Sequence, residues 1–151
     1  MSRPETTVPA GVAAFSAAVD DFMRATRRAR GRLVKEGDLS LSQFHLLEPL
    51  AASEEALGVG ELAAAAGVST PTATRMLGGL ERDGLVERRT CARDRRVVRV
   101  ALTDEGASRV DDKRARVQAR REQLYASLTP GEREQAARLL EHLAAAIEDL
   151  R

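Results

Sequence analysis

Apolar residues recur along this chain at helical spacing, interrupted once by a short alternating stretch. From Val12 to about Glu36, the residues Phe15, Val19, Phe22, Met23, Thr26 and Leu33 return at steps of three, four and seven, which predicts a long helix closed by Gly37. Arg24, Arg27, Arg28, Arg30 and Arg32 make its second half basic. Ser40 with Gln43 three residues on has capping-box spacing, so a second helix starts there. Phe44, Leu46, Leu47 and Leu50 supply its apolar content. Pro49 cannot donate to the carbonyl of His45, so a kink or early end is expected. A polar loop from Ser53 to Leu57 leads to Gly58-Val59-Gly60, a candidate minimal strand.

From Gly60 to Thr103 the pattern changes character. Glu61 to Ala66 reads as a short alanine-rich helix with Gly60 as a weak N-cap and Gly67 as its left-handed stop. Ser69 is a good N-cap for the next helix, and Pro71 fits its first turn, where a missing N–H costs nothing. That helix runs to about Asp83 and stops at Gly84. Ala73, Met76, Leu77 and Leu80 share one face and point inward; Pro71, Arg75, Gly78, Gly79 and Arg82 lie opposite, flanked by Thr72 and Thr74. Thr and Arg near the start of an exposed face suit a helix that reads DNA, and equally a plain solvated surface. Leu85–Arg89 and Val97–Leu102 are β-prone runs joined by the arginine-dense tip Thr90-Cys91-Ala92-Arg93-Asp94-Arg95-Arg96.

Beyond the wing, Thr103 caps another long helix, with Asp104 and Glu105 at its positive end. Val110, Val117 and Leu124 recur every seven residues in a thin apolar stripe. Thr129-Pro130-Gly131-Glu132 is a second capping box, and Ala136, Leu140, Leu143, Ile147 and Leu150 form a seam on the last helix. The fold class is therefore mainly α with a small β-wing. A winged helix-turn-helix over 40–102 lies between helices 12–36 and 103–151, whose stripes ask for a second copy of the chain, and 1–11 is a flexible tail. A two-fold dimer would also set two recognition helices one DNA turn apart, roughly 34 Å.

Charge sharpens this picture. The chain is only +1 overall, yet from Ser69 to Arg99 there are eight arginines against four acids, a local +4, as phosphate binding requires. Of the 24 basic residues only Lys35 and Lys113 are lysine; arginine suits bidentate contacts, although GC-rich coding gives the same bias. Hydrophobic residues make up 43% but aromatics only 3%, and alanine buries little area, so a partner would add needed burial. With a single cysteine no internal disulfide framework forms. No apolar run approaches the ~18 residues of a membrane span, and the first residues lack a signal-peptide core, so a cytoplasmic protein is expected.

Asp94-Arg95-Arg96 followed by Leu102-Thr103 fits D-x-R-x5-L-T, the wing signature of the MarR (multiple antibiotic resistance regulator) family, and the chain resembles that family over about Val12 to Leu150. Leu62-Ala63, Val68-Ser69, Thr74-Arg75, Leu80-Glu81 and Gly84-Leu85-Val86 are similar to its pattern, while Gly78 and Gly79 depart from its more usual polar or bulky residues. The resemblance implies a dimeric repressor on a pseudo-palindromic operator in double-stranded DNA. It puts Pro71, Thr72, Thr74 and Arg75 in the major groove with Thr70 at its edge, Arg96 in the minor groove, and Arg93 and Arg95 near phosphate. Asp94 would orient Arg96, since phosphate repels a carboxylate. Relief of repression by a small, often anionic aromatic ligand is also implied; Phe22, Met23, Phe44 and His45 could line its cleft, and core packing explains the first three equally well.

Enzyme chemistry finds little support. His45 and His142 form no zinc-spaced cluster with cysteine, and there is no phosphate-binding glycine loop or nucleophile elbow, so neither a metal nor a cofactor is expected. Cys91 lies between Arg89 and Arg93, where positive charge favours thiolate, so an oxidant-responsive regulator is one alternative. A winged-helix dimer that binds protein rather than DNA is the other.

Overall fold

A computed structural model of the protein describes residues 10–32, 38–53, 55–90 and 98–149. Six helices and three short strands follow in the order α1 (Ala10–Arg32), α2 (Leu41–Ala52), β1 (Leu57–Gly58), α3 (Val59–Ala66), α4 (Thr70–Arg82), β2 (Val86–Thr90), β3 (Val98–Leu102), α5 (Asp104–Ala126) and α6 (Pro130–Asp149). The sheet is antiparallel in the order β1-β3-β2, with Val86 opposite Leu102, Arg88 opposite Val100 and Leu57 also opposite Val100.

Local capping chemistry sets most helix starts. The Ser40 hydroxyl accepts the Gln43 N–H at 3.1 Å while the Gln43 side chain accepts the Ser40 N–H at 2.8 Å, the expected capping box. Thr129 and Glu132 repeat it on α6, at 2.8 Å from the Thr129 N–H to the carboxylate. The backbone N–H and then the hydroxyl of Thr129 hold the Glu132 carboxyl below its ordinary value, so it stays charged at the positive end of α6. Two α-helical ends close in Schellman motifs: at α4 the Leu85 N–H reaches Leu80 O at 2.9 Å and the Gly84 N–H reaches Glu81 O at 3.0 Å, with Gly84 at φ 73°.

Two boundaries differ from the sequence expectation, and one helix runs on where an early end was an option. Helix α3 begins at Val59 rather than Glu61, because the Glu61 carboxylate accepts the Gly58 N–H at 2.7 Å and draws Val59 and Gly60 into the first turn. The added strand is therefore Leu57–Gly58 rather than Gly58–Gly60. Helix α2 passes through Pro49 and ends at Ala52, with the Ser53 N–H bonded to Pro49 O at 3.1 Å; burial of Leu50 beyond the proline holds the last turn in place. Gly37, Leu33 and Leu150, and the wing tip 91–97, lie outside the described residues.

The core is confined to one part of the chain. Every buried apolar side chain among the described residues falls between Leu39 and Val110, supplied by α2, α3, α4, the sheet and the start of α5. At full burial, Leu46, Leu62, Leu77 and Leu80 each contribute about 1.5–3 kcal/mol. Helix α6 buries no side chain, and α1 leaves Phe15, Val19, Phe22 and Met23 exposed. Leu124, Leu140 and Ile147 are likewise more than half exposed, so the expected seam exists and has no partner within the described part of one chain. Replacing Leu143 and Ile147 by serine is expected to cost little in the core of a single chain but to convert a dimer into monomers, whose melting no longer depends on protein concentration. Sedimentation and melting over a hundredfold dilution range check this; an unchanged dimer would mean the seam lies elsewhere.

Candidate nucleic-acid interface

Helix α4 is amphipathic in a way that leaves one face with nothing to do inside the chain. Ala73, Leu77 and Leu80 are buried and Met76 packs against them, which fixes the opposite face outward. Thr70, Pro71, Thr74 and Arg75 are exposed there, and Thr72 is half-buried. The Ser69 hydroxyl caps the helix and sits 2.9 Å from the Thr72 hydroxyl, so Thr72 is held by the cap. The Thr74 hydroxyl donates to Thr70 O at 2.9 Å, leaving its lone pairs and methyl outward. Arg75 makes no hydrogen bond or ion pair among the described residues, so its five donors are open to a ligand.

Gly78 and Gly79 continue this face without side chains. A Cβ on Gly78 would meet nothing within 4 Å, and one on Gly79 only the end of Arg82 at 3.8 Å. No internal contact therefore requires either glycine.

The wing strands behave differently from their charge count. Arg88 donates to Glu81 at 3.0 Å and so ties β2 to α4; Arg89 bonds Glu87 at 2.7 Å; Arg99 donates to Ala56 O at 3.0 Å, across the sheet. Three of the eight arginines in the basic stretch thus serve the fold. Arg93, Asp94, Arg95 and Arg96, and with them Cys91, lie outside the described residues.

The four expected ligand-lining residues fall on two helices, Phe22 and Met23 on α1 and Phe44 and His45 on α2. Phe44 is 2% exposed inside the core, its ring 5.4 Å from that of the half-exposed His45, whose Nδ1 lies 3.7 Å from Glu48. Phe22 and Met23 stand exposed on α1. The cavity that does form, about 400 Å³, lies between α1, the start of α2 and α5. Thr26, Ala29, Leu41, Val117 and Leu124 give it apolar walls, and Lys113, Arg116, Arg120 and Arg121 a cationic side. Arg116 is bonded to Asp38 at 2.5 Å, but Lys113 is 8% exposed and has no hydrogen bond or ion pair among the described residues. Sequence reasoning missed this cluster, although Lys113, Val117, Arg120 and Leu124 have the spacing of one helix face. Among the described residues no group of three His, Cys, Asp or Glu side chains could hold a metal ion.

Residues 39–98 match the MarR family. The whole fold is similar to that of Staphylococcus aureus MepR in a complex with DNA, at 23% identity, a TM-score of 0.74 and coverage of 88% of this chain and 97% of that one. Streptococcus pneumoniae FabT in complex with DNA matches at 21% identity and a TM-score of 0.72, covering 93% of this chain and 97% of that one. A further MarR family transcription regulator matches at 25% identity and a TM-score of 0.71, covering 93% and 89%.

Gly78→Ala and Gly79→Ala are each expected to raise stability by up to about 1 kcal/mol, since mid-helix glycine is that much worse than alanine and the space is open. If the bare face serves close approach to DNA, both variants lose affinity for it. Melting curves and binding titrations on the same preparations check the pair; higher melting with unchanged binding would leave the glycines no role.

Proposed function

We propose that this chain, whose residues 39–98 match the MarR family, is a dimeric, sequence-specific DNA-binding regulator that represses transcription from a pseudo-palindromic operator. The observation that carries the reading is α4: one face is locked into the core by Ala73, Leu77 and Leu80, and the other offers Arg75, without a partner among the described residues, beside exposed Pro71 and Thr74. Residues 40–102 would form the DNA-binding unit, and 12–36 with 103–151 the dimer frame. The protein acts by binding rather than catalysis, in the cytoplasm; among the described residues no helix is long and apolar enough to cross a membrane.

In this reading Arg75, with Pro71, Thr72 and Thr74, enters the major groove, and Thr70 marks its edge. Arg96 reaches the minor groove from the wing, aimed by Asp94, with Arg93 and Arg95 near phosphate. The two contacts are separable because base edges carry sequence and phosphates do not. Arg75→Ala is expected to relax preference at one position of each half-site, by ~1–3 kcal/mol of discrimination. Arg96→Ala is expected to weaken binding most on A·T-rich flanks and to reduce the salt slope by about one charge. Asp94→Ala gives a milder version of the same loss. Titrations at several salt concentrations, on operators altered in half-sites or flanks, decide it. Equal loss on every sequence would make Arg75 a phosphate contact, and a wild-type protein without salt-dependent binding would end the DNA reading altogether.

The cavity between α1 and α5 is the proposed seat of a small anionic effector that releases the DNA. Its support is the pairing of apolar walls with Lys113, a residue 8% exposed that has no counter-charge among the described residues. With benzoate as the probe, Lys113→Met is expected to raise the concentration needed for release at least ~10-fold, the loss of roughly one charge-assisted bond. Binding of DNA without the probe stays as in wild type. An unchanged response in Lys113→Met would remove the cavity from the mechanism.

A further inference from the structure

The junction between α4 and α5 is tighter than a loop connection needs to be. Its centre is the peptide group that joins Gly84 to Leu85. The N–H of that group, carried by Leu85, bonds Leu80 O at 2.9 Å and so closes the end of α4. Its C=O, carried by Gly84, accepts the Thr103 hydroxyl at 2.6 Å. The same hydroxyl accepts the Gly106 N–H at 3.0 Å as the N-cap of α5. A peptide group is planar and stiff. The end of α4 and the start of α5 are therefore fastened to opposite edges of one rigid plate, with a single hydroxyl as the second link.

Two further contacts hold the joint shut. The Thr103 N–H donates to Leu85 O at 3.1 Å. Gly106 lies so close that a Cβ there would stand 1.8 Å from Leu85 O and 2.8 Å from the Leu85 carbonyl carbon, a backbone that cannot swing aside. One turn later Val110 is fully buried in the core. The start of α5 is thus immobilised against the turn that ends α4, while the rest of α5 runs out to the exposed Leu124 and the α6 seam.

We infer that Thr103 and Gly106 are positioning residues that lock the angle of α4 to α5, so that the dimer frame sets the half-site spacing the protein accepts. The inference rests on the proposed dimeric DNA reading and adds to it the element that transmits geometry. A loop-hung reading helix would tolerate altered spacing; one fastened through a rigid plate would not. Inserting one base pair turns a half-site by roughly 35°, which the locked angle cannot follow.

The test compares Thr103→Val, which keeps the shape and removes the hydroxyl, with Thr103→Ser, which keeps the hydroxyl. Each is checked for folding and dimer state, then titrated on operators with one base pair added to or removed from the central spacer. Wild type and Thr103→Ser are expected to lose roughly 10-fold or more in affinity on either altered operator, and Thr103→Val to lose about 3-fold or less, with weaker binding to the native spacing. In parallel, a spin label at Arg82→Cys in a Cys91→Ser background reads the distance between the two α4 helices of the free dimer. The distribution is expected to broaden in Thr103→Val and not in Thr103→Ser. A broadened distribution in a protein that binds no DNA fragment would uphold the joint and sink the DNA reading. A folded dimeric Thr103→Val with wild-type spacing preference and an unbroadened distribution would overturn the joint.

Discussion

The small core between Leu39 and Val110 carries the whole arrangement. Among the described residues its buried part is fourteen apolar side chains, Phe44 the one aromatic among them and the rest leucine, valine and alanine. Such a core closes around α2, α3, α4, the sheet and α5 as far as Val117, and among the described residues it buries no side chain of α1 or α6. The chain therefore divides physically into a part stabilised by its own interior and a part that displays its apolar stripes. In an alanine-rich sequence this division follows from how little area each residue can withdraw from water.

That interior also gives α4 its meaning. A helix pinned by Ala73, Leu77 and Leu80 cannot rotate to hide Arg75, and the turn after it is held on both sides by hydrogen bonds. Arg88 bonded to Glu81 adds a tie from the first wing strand to the last turn of α4. The outward face is thus presented by a rigid body rather than by a mobile loop, as a surface that must match a groove edge requires. The arginines divide the same way: Arg88, Arg89 and Arg99 on the strands make internal bonds, while Arg75 has no partner among the described residues.

How far the sequence could be read depended on the range of the interaction involved. Ser40, Ser69, Thr103 and Thr129 announced their helices because a cap is decided within four residues. Ala73, Leu77 and Leu80 declared the inward face of α4 by spacing alone, and the fold class followed. The start of α3 was misjudged because Glu61 reaching back to the Gly58 N–H moves the boundary by two residues, and a glycine cap has no side chain to advertise it. Helix α2 does not end early at Pro49, because the burial of Leu50 outweighs the local preference there, and it stops at Ala52, where the loop from Ser53 was expected to begin. Arg88 and Arg99 entered the charge count of the basic stretch, and their partners, Glu81 and the carbonyl of Ala56, are set by the packing of the sheet and so do not show in the sequence. The cavity was invisible for the same reason: Lys113 reads as one more cation on a charged helix until α1 and α2 are laid beside it.

One hydroxyl narrows the chemistry of the exposed helix face. Because Thr74 has already given its proton to Thr70 O, it can only accept outward. In a major groove an acceptor of this kind is matched by the amino group of adenine or cytosine and mismatched by the bare oxygens of guanine or thymine, while the adjacent methyl suits the thymine methyl. In the proposed docking Thr74 would discriminate by polarity as well as by shape, and a backbone carbonyl one helical turn behind it would decide which letters it prefers.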